Sequence, residues 1–426
     1  MPSTRYLDVK ISERRQPGGA REVGVGQAEG FSLRRIAVPA FGPSVIWSVG
    51  AGAVLPVVAL SARGLGASVG LAALFVGIAT LSEFAAAVPA GVLVERIGES
   101  RALVLAGLAD AAGCALALVA PSLWVLAFAV LLLGPTGAVF LLARQSYLTA
   151  AAPVALRARA MSTLGGVTRI GLFLGPLVGA PVVARWGPQA AFGVAVVAGV
   201  LAAALAWRSS DLGSHHGGPG PGRERASVAR VVARHRRVLL TVGLGVLAIG
   251  LARSSRVVVV PLWAEHVGLT AAQTSLVFAA AALVEVVLFW PAGTVMDRHG
   301  RVWVAVPVSV LLGLGLVVLP LTTTLAGVTV VALVMGIGNG LGSGIVMTLG
   351  ADAAPTAGRA PFLGVWRLLS LVGHNGASIV VAAVAAVATI GVASVTVGVL
   401  TLLGGAWLAR WLPEYDPRRR PAPDDV

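Results

Sequence analysis

Apolar stretches of about twenty residues recur along the whole chain, separated by short polar breaks. Each is long enough to cross about 30 Å of hydrocarbon as an α-helix. The pattern predicts twelve spans, at about 37–62, 68–94, 102–120, 122–144, 161–184, 188–208, 237–262, 270–296, 301–320, 325–349, 362–388 and 390–411. An even number puts both termini on the same side of the membrane. Between spans 6 and 7 the composition changes. There Gly217-Gly218-Pro219-Gly220-Pro221-Gly222 reads as a flexible linker. After it, Val228, Val231 and Val232 among Arg223, Arg225, Arg230, Arg234 and Arg236 predict a short basic helix on the membrane surface. The expected organisation is a tail at 1–36, a six-helix half at 37–208, a linker at 209–236, a second six-helix half at 237–411 and a tail at 412–426. The fold class is all-α, a polytopic membrane protein of twelve transmembrane helices in two pseudo-symmetric halves.

The symmetry is visible in the residues. Pro89-Ala90-Gly91-Val92-Leu93-Val94-Glu95-Arg96-Ile97-Gly98 returns 202 positions later as Pro291-Ala292-Gly293-Thr294-Val295-Met296-Asp297-Arg298-His299-Gly300. Each copy ends an apolar run, supplies a charged turn and leads into another apolar run, so two halves are structurally equivalent. The duplication extends to charges inside the spans. Glu83 and Glu285 each lie six residues before the motif proline, and Arg169 and Arg367 each lie six before a glycine, Gly175 and Gly373.

Composition agrees with a membrane protein. Mean hydropathy is +0.89 and 12% of residues are charged, against roughly 25% in a soluble domain. The 54 glycines suit close helix packing. The net charge of +14 is unevenly placed. Arg14, Arg15, Arg34, Arg35 and Arg418-Arg419-Arg420 lie in the tails, while the loops near Ser122, Thr323 and Ile390 carry no Arg or Lys. This asymmetry predicts that both termini and the motif loops are cytoplasmic, in an inner (plasma) membrane. It also accounts for the basic balance without nucleic acid. Cys114 stands alone, so no intramolecular disulfide is expected. Residues 1–33 lack an apolar core followed by a cleavage site, so no signal peptide is expected.

Charges within spans are costly and usually paired or functional. Glu83, Asp110 and Glu285 are the acids, and Arg169, Arg253, Arg256 and Arg367 the bases. Arg253 and Arg256, one helical turn apart on span 7, could receive a carboxylate-bearing substrate. Alternatively they neutralise Glu285, or Arg256 reaches headgroups near Glu265. Asp110 reads better as a structural bond to a neighbouring span. His374 is either a proton relay near neutral pH or a structural hydrogen-bonding residue. Ser44, Trp47, Thr136, Asn339 and Ser343 complete the candidate cavity groups.

With these motifs in place, the chain resembles the major facilitator superfamily, whose loop signature reads G-x-x-x-[D/E]-R-x-G-[R/K]-[R/K]. The matching residues are Gly91, Glu95, Arg96, Gly98 and Arg101, then Gly293, Asp297, Arg298, Gly300 and Arg301; Glu99 and Ser100 depart from the basic pair. Gly171, Gly175, Pro176 and Gly179 resemble the antiporter motif of the drug:proton branch, although that branch's arginine in span 4 and acids in span 1 are missing. The resemblance implies that the loop motif is a latch broken in each transport cycle. It also implies that span 2 packs on span 11 and span 5 on span 8. From that packing we expect two interdomain salt bridges, Glu83–Arg367 and Glu285–Arg169, with Glu83 or Glu285 carrying the coupled proton.

The function expected is secondary transport: proton-coupled export of small amphipathic or drug-like molecules by alternating access. A specific organic anion is the alternative substrate. A non-transporting sensor or scaffold is the alternative from another class. The partners are a small-molecule substrate, protons and the lipid bilayer, with a monomer expected. No cofactor is needed beyond a proton gradient as the energy source. An ATP-driven pump is excluded, because Lys10 is the only lysine and no G-K-[S/T] phosphate loop exists. His215-His216 is too little for a metal site, and nothing in the spans resembles an enzyme's catalytic cluster.

Overall fold

A computed structural model describes residues 33–151, 157–208, 234–342, 344–354 and 359–415. The N-terminal tail to residue 32, residues 416–426, nearly all of the linker with its basic segment, and Ser343 lie outside these. Twelve helical spans are long and apolar enough to cross a membrane, and no strand occurs among the described residues. Span 1 is Leu33–Val54 continued by Val58–Gly64. Spans 2 to 6 are Val69–Ile97, Glu99–Leu118, Leu123–Ala151, Arg157–Trp186 and Ala191–Arg208. Span 7 is Leu244–His266, span 8 Ala271–His299 and span 9 Val302–Val318. Span 10 is Leu325–Leu341 continued by Ile345–Ala353, span 11 Arg359–Val387 and span 12 Ile390–Trp411.

Two predicted continuous spans are broken. Span 1 interrupts at Leu55–Val57, around Pro56, which has no N–H to donate to the preceding turn. Span 10 restarts after Gly344, whose φ of +93° suits only a residue without a Cβ. Span 4 runs seven residues beyond its predicted end, to Ala151.

The repeat governs local structure well outside the loop motif. Ser68 caps span 2 by accepting from the Leu71 N–H, and Thr270 caps span 8 by accepting from the Gln273 N–H, each at 3.2 Å. The motif glycines Gly98 and Gly300 have φ of +84° and +100°, and Gly66 and Gly268 have +89° and +82°. Every one of these pairs is separated by the 202-residue offset.

Helix packing repeats too. On span 5, Gly171 lies against Ser48, Gly175 against Val49 and Ala53, and Gly179 against Ala53, all on span 1. On span 11, Gly373 lies against Leu247 of span 7. The antiporter-like glycines therefore serve backbone-to-backbone contact between spans 1 and 5. Pro176, buried within span 5, follows the tightest of them.

Span 2 packs on span 11 and span 5 on span 8. Spans 2 and 11 meet at the end of the molecule away from the loop motif, while spans 5 and 8 meet both there and nearer the motif, where Arg169 lies on Phe289. At the end away from the motif Gly70 faces Ala382 and Ala386, Gly77 faces Ser378, and Val57 and Val183 pack with Ala271 and Ala272. Toward the motif end the pattern changes. Glu83, Phe84 and Ala85 are exposed in succession on span 2, as are Arg367 and Leu368 on span 11. A helix covered on both sides does not expose three consecutive residues, so the halves part here into a cleft.

Candidate transport site

The middle of the second half holds a continuous polar network. Glu285 on span 8 accepts from the Arg256 guanidinium of span 7 at 2.6 Å through Oε1 and from Asn339 Nδ2 of span 10 at 2.6 Å through Oε2. Asn339 Oδ1 in turn accepts from Arg253 Nε at 2.6 Å. The rest of the Arg253 fork donates to the backbone oxygens of Asn339 (3.4 Å) and Gly342 (3.3 Å). The Gly342 oxygen is available because span 10 breaks just there. Gly340 brings spans 8 and 10 close, lying 3.0 Å from the Glu285 Cα when measured from an ideal Cβ. His374 on span 11 shares a hydrogen bond between Nδ1 and Ser254 Oγ on span 7.

This arrangement corrects the expected salt bridges. Glu285 pairs with Arg256 of its own half, not with Arg169, because span 7 delivers a guanidinium directly to it. Arg169 instead lies over the Phe289 ring, 4.8 Å from its centroid. It still feels the charges of Glu285 and Arg256 across the boundary between halves. Glu83 does not close an ion pair with Arg367, although that cation acts on it electrostatically. Glu83 makes no hydrogen bond or ion pair among the described residues and stands exposed on the cleft. Positions 83 and 285 are equivalent in the repeat, yet one carboxylate is clamped and the other is bare. Asp110 accepts from Thr136 Oγ1 at 2.8 Å, a bond between spans 3 and 4.

The first copy of the loop motif is unlatched. Glu95, Arg96, Arg101 and Arg298 are exposed, and Glu95 and Arg96 make no bond among the described residues. Nothing lies within 4 Å of where a Gly91 side chain would begin, so the close helix contact expected there is not formed. The side chain of Asp297 and the surroundings of Gly293 lie outside the described residues. What does hold this end is a strut within each half. Glu99 accepts from Ser146 Oγ at 2.8 Å in the first, and Arg301 Nε donates to Asp352 Oδ2 at 2.7 Å in the second. The same two positions meet in both halves with different chemistry, which explains how the first copy tolerates an acid where a base is usual.

Sequence reasoning missed the ion pair that closes the opposite end. Arg63 Nε lies 3.0 and 3.1 Å from the two Glu265 carboxylate oxygens, joining the halves between spans 1 and 7. Arg63 and Glu265 are themselves 202 residues apart. They are equivalent positions facing each other across the pseudo-twofold axis, and the repeat offset was the signal that could have found them. Half-exposed pairs contribute about 0.2–1 kcal/mol, enough to bias a balanced equilibrium. Reversing either charge alone, Arg63→Glu or Glu265→Arg, is expected to open this end. With Cys114→Ser and Ser378→Cys, an impermeant maleimide should label position 378 faster in either single reversal and at the starting rate in the double reversal. Unchanged labelling in the single variants would remove the pair from the gate.

Two equivalent six-helix halves, closed at one end and parted at the other around a charged midplane, define a membrane transporter. A sequence profile of the Major Facilitator Superfamily matches residues 44–375. The chain belongs to that superfamily. Solved structures agree in fold. A peptide transporter POT in complex with alafosfalin aligns with a TM-score of 0.72 at 14% identity, over 90% of this chain and 95% of that one. A bacterial homolog of the human lysosomal transporter Spinster, inward-facing and unoccupied, gives 0.71 at 12% identity over 92% and 98%. A D-xylose–proton symporter gives 0.67 at 13% over 90% and 98%. Compared by sequence with curated proteins, the chain matches none.

Proposed function

We propose that this chain is a proton-coupled secondary transporter in which Glu83 loads and releases the proton. The observation that carries this is the inequality of the two equivalent carboxylates. Coupling requires a carboxyl that changes protonation as its surroundings change, through burial or an approaching cation. Glu285 is neutralised by Arg256 and hydrogen-bonded by Asn339, so both of its oxygens are already taken. Glu83 is free on the cleft, within electrostatic reach of Arg367 of the other half. The motif end, taken as cytoplasmic from the arginine bias, is open here while Arg63–Glu265 holds the other end shut. Transport alternates by making the loop latch and breaking that pair.

Export of small amphipathic molecules is the direction that the span-5 motif favours, and the D-xylose–proton symporter of similar fold lends support to proton coupling alone. A second reading, transport of an organic anion, is favoured by charge. Arg169, Arg253 and Arg256 surround the single carboxylate of Glu285. The test is purified protein in liposomes with a pH gradient imposed in either direction. Gradient-driven movement of a lipophilic cation supports the export reading, and movement of a carboxylate supports the second. Movement indifferent to the gradient would end the claim of coupling.

A further inference from the structure

Among the described residues, Arg144 is a buried cation without a hydrogen-bond or ion-pair partner. It lies on span 4 seven residues before the helix end, about 10 Å inside at 1.5 Å per residue. Only 3% of it is exposed, and neither Nε nor Nη2 has a hydrogen-bond partner. No carboxylate among the described residues lies within ion-pair distance of it. None of the described acids of its half pairs with it: Glu99 accepts from Ser146 and Asp110 from Thr136, and Glu83 and Glu95 make no ion pair. Its one contact is aromatic. The guanidinium carbon lies 5.3 Å from the Phe140 centroid, and Phe140 stacks on Trp47 of span 1 at 4.9 Å and 17°. The two arginines of span 7 are better satisfied, Arg253 by amide oxygens and Arg256 by a carboxylate.

The cation is also absent from the repeat. Gly134 against Glu83 matches Gly340 against Glu285, and Ser146–Glu99 matches Asp352–Arg301, so span 4 maps onto span 10 with an offset of 206. Arg144 then corresponds to Gly350, where a side chain would run into the Trp366 indole at 2.6 Å. The second half closes this place with an apolar ring, and the first installs a charge. A duplicated structural need does not explain it. An unpaired buried charge costs several kcal/mol, and donors without acceptors are matched by an anionic oxygen.

We propose that Arg144 and the Trp47–Phe140 stack form an anion subsite for the carboxylate of a small organic substrate. The subsite deepens the transport reading and rests on it. Two parallel N–H groups suit a carboxylate, and the stacked rings suit an apolar or planar body beside it. Calorimetric titration of the purified full chain with benzoate, in the absence of any gradient, tests binding apart from transport. Wild-type protein should bind benzoate more tightly than the neutral benzamide. Arg144→Gln should weaken benzoate at least about tenfold, and Arg144→Lys, which keeps the charge but loses the fork, by less. Should Arg144→Gln fail to fold, Arg144→Lys and Phe140→Leu carry the comparison. Absence of benzoate binding in the wild type, or equal affinity in wild type and Arg144→Gln, overturns the proposal. So does full displacement of benzoate by equimolar sulfate, which would assign the site to an inorganic anion. Benzoate binding is read without a gradient, so loss of gradient-driven transport in Glu83→Gln bears only on the proton assignment.

Discussion

Glu83→Gln is expected to abolish gradient-driven accumulation while leaving the protein folded and able to exchange substrate across the membrane. The neutral amide keeps the size of the carboxyl and removes only its ability to exchange a proton. Because Glu83 has no partner to lose, its stability change should stay within about 0.5 kcal/mol, as for an ordinary exposed position. Glu285→Gln should behave differently. It leaves Arg256, 2.6 Å away and 11% exposed at the side chain, without its counter-charge. Removing one member of a buried pair costs up to about 3–5 kcal/mol. The loss should appear as a lower thermal midpoint and poor recovery from the membrane. The measurement is a pair of curves for each variant, thermal unfolding and substrate accumulation against imposed pH difference. A stable Glu83→Gln with intact gradient response, or a fully stable Glu285→Gln that alone loses it, would exchange the roles assigned to the two carboxylates.

The contrast shows what the linear sequence held and what it did not. The twelve spans, the two halves and the pairing of span 2 with 11 and span 5 with 8 were legible, since they follow from hydropathy, the repeat and a familiar loop motif. The partner of Glu285 was not. Arg253 and Arg256 are three residues apart on one helix, and Arg169 faces the same region from the other half. Only the rotation of span 7 decides that Arg256 reaches the carboxylate while Arg253 turns to Asn339. Arg144 was missed for a simpler reason. The apolar run of span 4 ends at residue 144, whereas the helix continues to Ala151 and draws the arginine inside. Helix ends are the least certain part of a hydropathy reading, and here one end decides whether a charge is buried. The Arg63–Glu265 pair lay within the repeat but involved no matching residue types. An arginine opposite an acid is the complementary choice across a twofold axis, so searching for identical residues passes over it.

The same symmetry makes a strong prediction about glycine. Gly175→Val and Gly373→Val should damage the protein to a similar degree, because each glycine meets the same place on a neighbouring span, Val49 and Leu247, in equivalent geometry. At both positions the first side-chain atom would collide with carbonyl oxygen and backbone carbon. Backbone cannot turn aside as a flexible side chain can, so the helices must separate along their length. Overpacking of this kind costs about 1–3 kcal/mol, or more where nothing can yield, and small residues are what allow such close approach in lipid. Spans 5 and 11 also pack across the boundary between the halves, on spans 8 and 2, so transport should fall with stability. Gly91→Ala is the control within the loop motif. No atom lies within 4 Å of its added methyl, and removing a mid-helix glycine stabilises by up to about 1 kcal/mol. Its thermal midpoint should therefore hold or rise. If transport nevertheless drops in Gly91→Ala, the motif end must pack tightly at another point of the cycle, which is what a latch requires. If Gly175→Val is tolerated, the glycines of span 5 are not packing residues, and the similarity to the antiporter motif loses its structural basis.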